Sequence, residues 1–141
     1  MQDTQHLDHA IQIAAEAHDE QSDKTGRPFF DHCRRVAAHM TDMEEKTVAY
    51  LHGVAEKGRG WTLDRLKAEG FSSAVLSAVN ALTRREGESR DAFVRRAAAN
   101  PLARAVKRAD LEDNLSQMQE IGGDARKYEE GLAILNRRAG Q

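Results

Sequence analysis

The sequence has little of what would build a sheet, a disulfide framework or a membrane span. Aromatic residues make up only 5% of the 141 residues, and strands are ordinarily enriched in aromatic and β-branched side chains, so a sheet is disfavoured. Cys33 is the sole cysteine, which excludes an internal disulfide and a Cys-rich zinc site. Only two prolines, Pro28 and Pro101, are available to interrupt helices. No run approaches the roughly 18 apolar residues needed to cross a bilayer. Met1-Gln2-Asp3-Thr4 offers no basic segment followed by an apolar one, so no signal peptide is expected and the cytoplasm is the expected location. A net charge of -2 gives no general attraction to nucleic acid or to a membrane surface.

What remains is a globular composition, with 40% apolar and 31% charged residues. The length predicts one domain over residues 1–141, large enough to bury a core without a disulfide or a structural metal. Helical periodicity runs through most of it. Leu7, Ala10, Ile11, Ala14 and Ala17 give a first helix, about Thr4 to His18, one apolar face. A polar loop from Asp19 to Arg27 leads to a second helix opened by Pro28 and carrying His32, Val36 and His39. The third is expected from about Met43 to Lys57, with Gly58-Arg59-Gly60 ending it. Thr62, Ser72 or Ser73, Ser89 and Asn100 read as N-caps of the next four. The last of these runs from Pro101 to about Met118, Gly122-Gly123 breaks the chain, and a final helix starts at Asp124. The fold class predicted is all-α, a single irregular bundle of about seven to eight helices.

Within this frame His52 and Glu56 lie four residues apart, as do Asp110 and Asn114, so each pair shares a helix face. Together with His32 they offer imidazole nitrogen and carboxylate oxygen, a set suited to a divalent transition metal. A metal there would polarise a phosphoryl oxygen and acidify a bound water. The plain alternative stays open, because a histidine on an apolar helix face is more often a satisfied core residue. His6, His9 and His39 read as surface or helix-boundary residues, and His18 sits at a helix end that would suit a cation.

Three ordered segments carry a family resemblance. Ala17-His18, Gln21, Lys24, Gly26, Pro28-Phe29 and His32 follow the pattern AH-x-GQ-x-x-K-x-G-x-PY-x-x-H. Ala49-Tyr50-Leu51-His52-Gly53-Val54-Ala55-Glu56-Lys57 is similar to A-x-LHDV-x-ED. Val106-Lys107-Arg108-Ala109-Asp110 with Asn114 is similar to K-x-AD-x-x-x-N. Leu82-Thr83-Arg84-Arg85-Glu86-Gly87 and Pro101-Leu102-Ala103-Arg104-Ala105-Val106 look like the compact bacterial members. Over residues 7 to 118 the chain resembles the HD metal-dependent phosphohydrolases of the RelA/SpoT type, the small alarmone hydrolases among them. The resemblance implies an HD-type helical bundle and a Mn²⁺ or other divalent ion on His32, His52 and Asp110. It implies Glu56 as the acid that positions or activates water and Asn114 as a residue near the nucleotide. His18 and Lys24 would border the substrate, a small-molecule nucleotide, and Lys107, one turn before Asp110, is by its position the member of the basic stretch expected to face the same pocket. The implied activity is hydrolysis of a phosphoester or pyrophosphate on that nucleotide, such as the 3′-diphosphate of a guanosine alarmone.

The chain departs from the pattern at the chemistry. Gly53 stands where the second histidine is followed by aspartate, and Lys57 stands for the second acid of the ED pair. Glu20 occupies a usual glycine position and Cys33 a usual proline position. Loss of the carboxylate at 53 leaves a divalent ion one negative charge short, so impaired activity, or no bound metal, is expected. Glycine inside a helix also costs roughly 1 kcal/mol relative to alanine. One reading of Lys57, four residues on, has its ammonium pair with Asp110 or Glu56 in place of the ion. The other has it extend into solvent at a helix C-terminus. Two function classes follow, an impaired phosphohydrolase and a catalytically inactive nucleotide- or partner-binding domain that keeps the fold.

Arg84, Arg85, Arg90, Arg95, Arg96, Arg104, Lys107 and Arg108 crowd one stretch, interrupted by Glu86, Glu88 and Asp91. A phosphate-binding rim and a solvated, salt-bridged face are both compatible with it. Nucleic-acid binding is not expected, since no recognition-helix pattern or aromatic interleaving accompanies the charge. The oligomeric state is not encoded in any of these patterns.

Overall fold

The computed structural model describes residues 3–58 and 60–139, with side chains as far as Arg137. The described residues form nine helical segments and no strand. These are α1 (Asp3–Ala17), α2 (Phe29–Ala38), α3 (Met43–Leu51), α4 (Val54–Lys57), α5 (Leu63–Ala68), α6 (Ser73–Ala81), α7 (Arg90–Ala98), α8 (Pro101–Ile121) and α9 (Arg126–Ala139). Extended pairing is limited to one isolated bridge between Ser22 and Pro28 across the α1–α2 loop. The chain is all-α, as expected. Counting Met43–Lys57 as one interrupted helix gives eight.

Side chains fix most of the starts. Thr62, Ser72, Ser89 and Asn100 each accept a hydrogen bond from the backbone N–H three residues on, satisfying a donor that the first helical turn leaves unpaired. Pro101 follows Asn100 at the first helical position, where its missing N–H costs nothing. Asp42 and Glu45 form a reciprocal capping box on α3. α8 ends at Gly122, whose φ of +69° is the left-handed conformation that glycine adopts without a Cβ clash. Pro28 is the N-cap residue of α2 rather than part of its first turn, and α9 opens at Arg126, two residues later than expected.

The expected third helix is broken. α3 stops at Leu51, and α4 resumes at Val54 after Gly53 with φ -108° and ψ -1°. The cause is local. The His52 imidazole Nδ1–H donates to the Ala49 carbonyl, the acceptor that the Gly53 N–H would use in a continuous helix. The His52 backbone N–H turns to the same carbonyl, 3.5 Å away. Gly53 therefore lies outside a helix interior, and the helical penalty anticipated for glycine does not apply to it.

α3 is the central element, packed on α1, α2, α6 and α8. Its Val48 and Leu51 are fully buried with Ile13, Val36, Val79 and Val106 in the main core. Each such side chain contributes roughly 1.5–3 kcal/mol of burial energy. A smaller cluster of Val94, Leu111, Tyr128, Ile134 and Leu135 joins α7, α8 and α9. The consequence for function is that α2, the end of α3 and the middle of α8 are held against one another by packing.

Candidate metal centre and nucleotide cleft

His32 comes from α2, His52 from the break after α3, and Asp110 from α8. One ligand atom from each lies within 4.8 Å of the others. His32 Nε2 is 2.9 Å from Asp110 Oδ1, and His52 Nε2 is 3.2 Å from the same oxygen. Both imidazoles are buried.

The far edge of each ring is fixed. His32 Nδ1 donates to Asp113 Oδ2 at 2.6 Å, and His52 Nδ1 donates to the Ala49 carbonyl. Each ring thereby turns Nε2 into the cleft, the arrangement in which a carboxylate or carbonyl orients a metal-ligating histidine. Burial alone would lower the pKa of His32, but its hydrogen bonds and charge interactions with Asp110 and Asp113 prevail and raise it to about 9. Burial opposes ionisation of Asp110 too, yet the Lys107 ammonium and the two imidazoles hold its carboxyl well below the usual range. Asp113 follows the same pattern. Burial is outweighed by hydrogen bonds from His32, Arg35 and Gln117, and its pKa falls. Once an ion displaces the proton that His32 Nε2 shares with Asp110, two imidazole nitrogens and an ionised carboxylate fit a divalent ion as three protein ligands with positions left for water or substrate. Gly53 adds no donor to the set.

A second layer braces this centre. Arg35 donates from Nε to Asp113 Oδ1 at 2.8 Å and from a terminal nitrogen to Asp23 Oδ2 at 3.0 Å. Gln117 donates to Asp113 Oδ2 at 2.7 Å while its carbonyl accepts the Lys24 backbone N–H at 2.9 Å. The sequence reading missed Arg35, Asp113 and Gln117. The available signal was spacing, because 110, 113, 114 and 117 fall on one face of α8.

The triad lines a cavity of about 160 Å³ together with Lys24, Phe29, Gly53, Glu56, Lys57, Phe93, Lys107 and Asn114. Asn114 donates to the Asp110 carbonyl at 2.9 Å and accepts from Lys24 Nζ at 2.9 Å. Glu56 Oε2 accepts the Arg84 backbone N–H at 3.1 Å, which holds the carboxylate at the mouth. Lys107 is buried, with its ammonium 3.4 Å from Asp110 Oδ2 and 4.2 Å from the centre of the Phe93 ring. This corrects one reading of Lys57. The lysine paired with Asp110 is Lys107, while the Lys57 ammonium lies 4.7 Å over the Phe29 ring. A larger hollow of about 640 Å³ lies beside this cleft, shares Lys24 with it, and is lined by Arg90, Tyr128 and Arg126 among others.

His18 takes a different position. It is buried, its ring 4.6 Å from that of Phe29, and it lines a separate hollow with Gln21 and Phe30. Gln21 donates its amide to the Ala17 and Lys57 carbonyls, so its own carbonyl faces His18 and accepts from Nδ1 at 2.8 Å. Burial lowers the His18 pKa to about 4, so the imidazole is neutral at physiological pH and the expected helix-end cation is not formed. Its Nε2 is buried without a hydrogen-bond partner. Of the arginine-rich stretch, Arg96 is tied to Glu88 and to the Asn80 and Thr83 carbonyls, Arg84 to the Glu88 carbonyl, and Arg104 to the Leu135 carbonyl. Those three guanidiniums hold the protein's own loops and helix ends.

No protein-family model matches the chain. No curated protein sequence matches it either. Among solved structures, it superposes on a metazoan ortholog of SpoT that hydrolyzes ppGpp and plays a role in starvation responses. The TM-score is 0.74, over 93% of this chain and 82% of that one, at 22% identity. The fold is therefore the all-α HD-type bundle that the sequence resemblance implied.

Proposed function

We propose that this chain is an HD-type phosphohydrolase homologue that binds a small-molecule nucleotide and cleaves a phosphoester or pyrophosphate bond on it, with activity impaired by Gly53 and Lys57. The observation that carries this reading is the His32–His52–Asp110 cluster with both imidazoles locked Nε2-inward. These three residues would hold Mn²⁺ or another divalent ion, which when bound supplies Lewis acidity and a more acidic water. The rest falls to the chain's own groups. Glu56, fixed at the mouth by Arg84, accepts the proton of the attacking water. Asn114 orients both Asp110 and Lys24. Lys24 and Lys107 neutralise phosphate charge. His18, behind Phe29, sets the packing of that wall. The expected setting is a single cytoplasmic domain.

The test is release of phosphate or pyrophosphate from a guanosine 3′-diphosphate with added Mn²⁺, alongside Asp110→Asn. Turnover that needs Mn²⁺ and vanishes in the variant supports the reading. A second reading rests on Gly53, which removes a ligand position: a nucleotide-binding domain without turnover. Thermal stabilisation by the nucleotide with no product formed would favour it.

A further inference from the structure

Three ammonium groups line the cleft that holds the histidines. Lys24 is held by Asn114, Lys107 is buried against Phe93 and Asp110, and Lys57 lies over Phe29 at the rim. Against them stand two carboxylates. Asp110 is already paired with Lys107 and two imidazoles, and Glu56 is engaged by a backbone N–H. The cavity thus carries excess positive charge on the protein itself. Lys57 is the unusual member. Its stem emerges from α4, its own carbonyl accepts from Gln21, and its ammonium is drawn over a ring that also forms the cleft wall. Gly53 beside it bears no side chain, so nothing at that position competes for an anion. The ammonium's position over a ring face leaves its N–H groups available to a ligand in the cavity.

We propose that Lys57 is a phosphate-binding residue of this cleft, and that with Lys24 and Lys107 it holds a diphosphate group without the help of a metal ion. This rests on the nucleotide reading above and assigns the binding of the substrate's phosphates to side chains. Recognition is by charge and ammonium hydrogen bonds, so it favours a diphosphate over a monophosphate and weakens with salt.

The test is calorimetric titration of the full chain with inorganic pyrophosphate in EDTA at low ionic strength. Wild type binds under these conditions. Lys57→Glu weakens binding by about tenfold or more, a size set by local charge reversal. Lys57→Arg retains it. Lys67→Glu, the same charge change at an exposed residue of α5 that does not line the cleft, leaves it unchanged. Binding that appears only after Mn²⁺ is added overturns the assignment and leaves the phosphohydrolase reading standing. Equal affinity in Lys57→Glu, or equal loss in Lys67→Glu, also overturns it. No binding of pyrophosphate with or without Mn²⁺, together with no nucleotide turnover, overturns both readings.

Discussion

Asp113 grips His32 from the side opposite the cleft, at 2.6 Å between Oδ2 and Nδ1. The carboxylate does not itself line the cavity, yet it determines which imidazole nitrogen faces inward. Asp113→Asn keeps the size of the side chain but removes the charge and lets an amide N–H oppose the ring. Divalent-metal affinity is expected to fall by roughly 10–100-fold. Competition with a chelating dye checks it, and unchanged affinity would show that the ring is oriented by packing alone.

Gly53→Asp is expected to raise metal affinity. A Cβ at this position meets Phe29 at 3.4 Å and His18 at 3.6 Å, ordinary contact distances, and the backbone there has negative φ. The change adds a carboxylate next to His52 without forcing the fold. An increase of about tenfold in Mn²⁺ affinity, about 1.4 kcal/mol, is the expected reading by calorimetry. Affinity at or below that of wild type would mean that the new carboxylate points elsewhere.

His18 makes the protein sensitive to mild acid. Burial lowers its pKa in the folded state to about 4, whereas the unfolded chain titrates near 6.5. Between those values the unfolded state takes up a proton that the folded state refuses. Stability from this group is therefore complete above about 6.5 and is lost as pH falls towards about 4. The loss is on the order of 3 kcal/mol. Denaturant melts of wild type and His18→Gln across this range check it. The variant should show the shallower slope.

Glu20 is a non-glycine residue with φ of +66°. Glu20→Gly should relieve the left-handed conformation at some cost in unfolded-state entropy, a net gain of about 0.5–1 kcal/mol. The expected rise in Tm is about 2–4 °C. A lower Tm would mean that the Glu20 side chain makes a compensating contribution.

The elements were legible where a single residue determines a boundary. Thr62, Ser89 and Asn100 are capping side chains whose chemistry acts over three residues, and the structure uses each of them so. The all-α bundle followed from periodicity, and its HD type from three ordered motifs. The break at Gly53 was not legible, because it depends on a side chain competing with the backbone for one carbonyl. Nor was the partner of Asp110. Lys57 and Lys107 are both within reach on paper, and only the packing of Phe29 and Phe93 decides where each ammonium rests. Asp113 and Gln117 were passed over because no motif singles them out, although they follow Asp110 at helical spacing.

One face of α8 carries Asp110, Asp113, Asn114 and Gln117 within two turns, and Gln117 also anchors the loop bearing Lys24. Insertion or deletion of one residue upstream within the helix would rotate all four by roughly 100° at once. Single replacements can therefore be sampled one role at a time, but a change of length here removes them together. The spacing of these four residues along α8 is thus a requirement separate from the identity of any one of them.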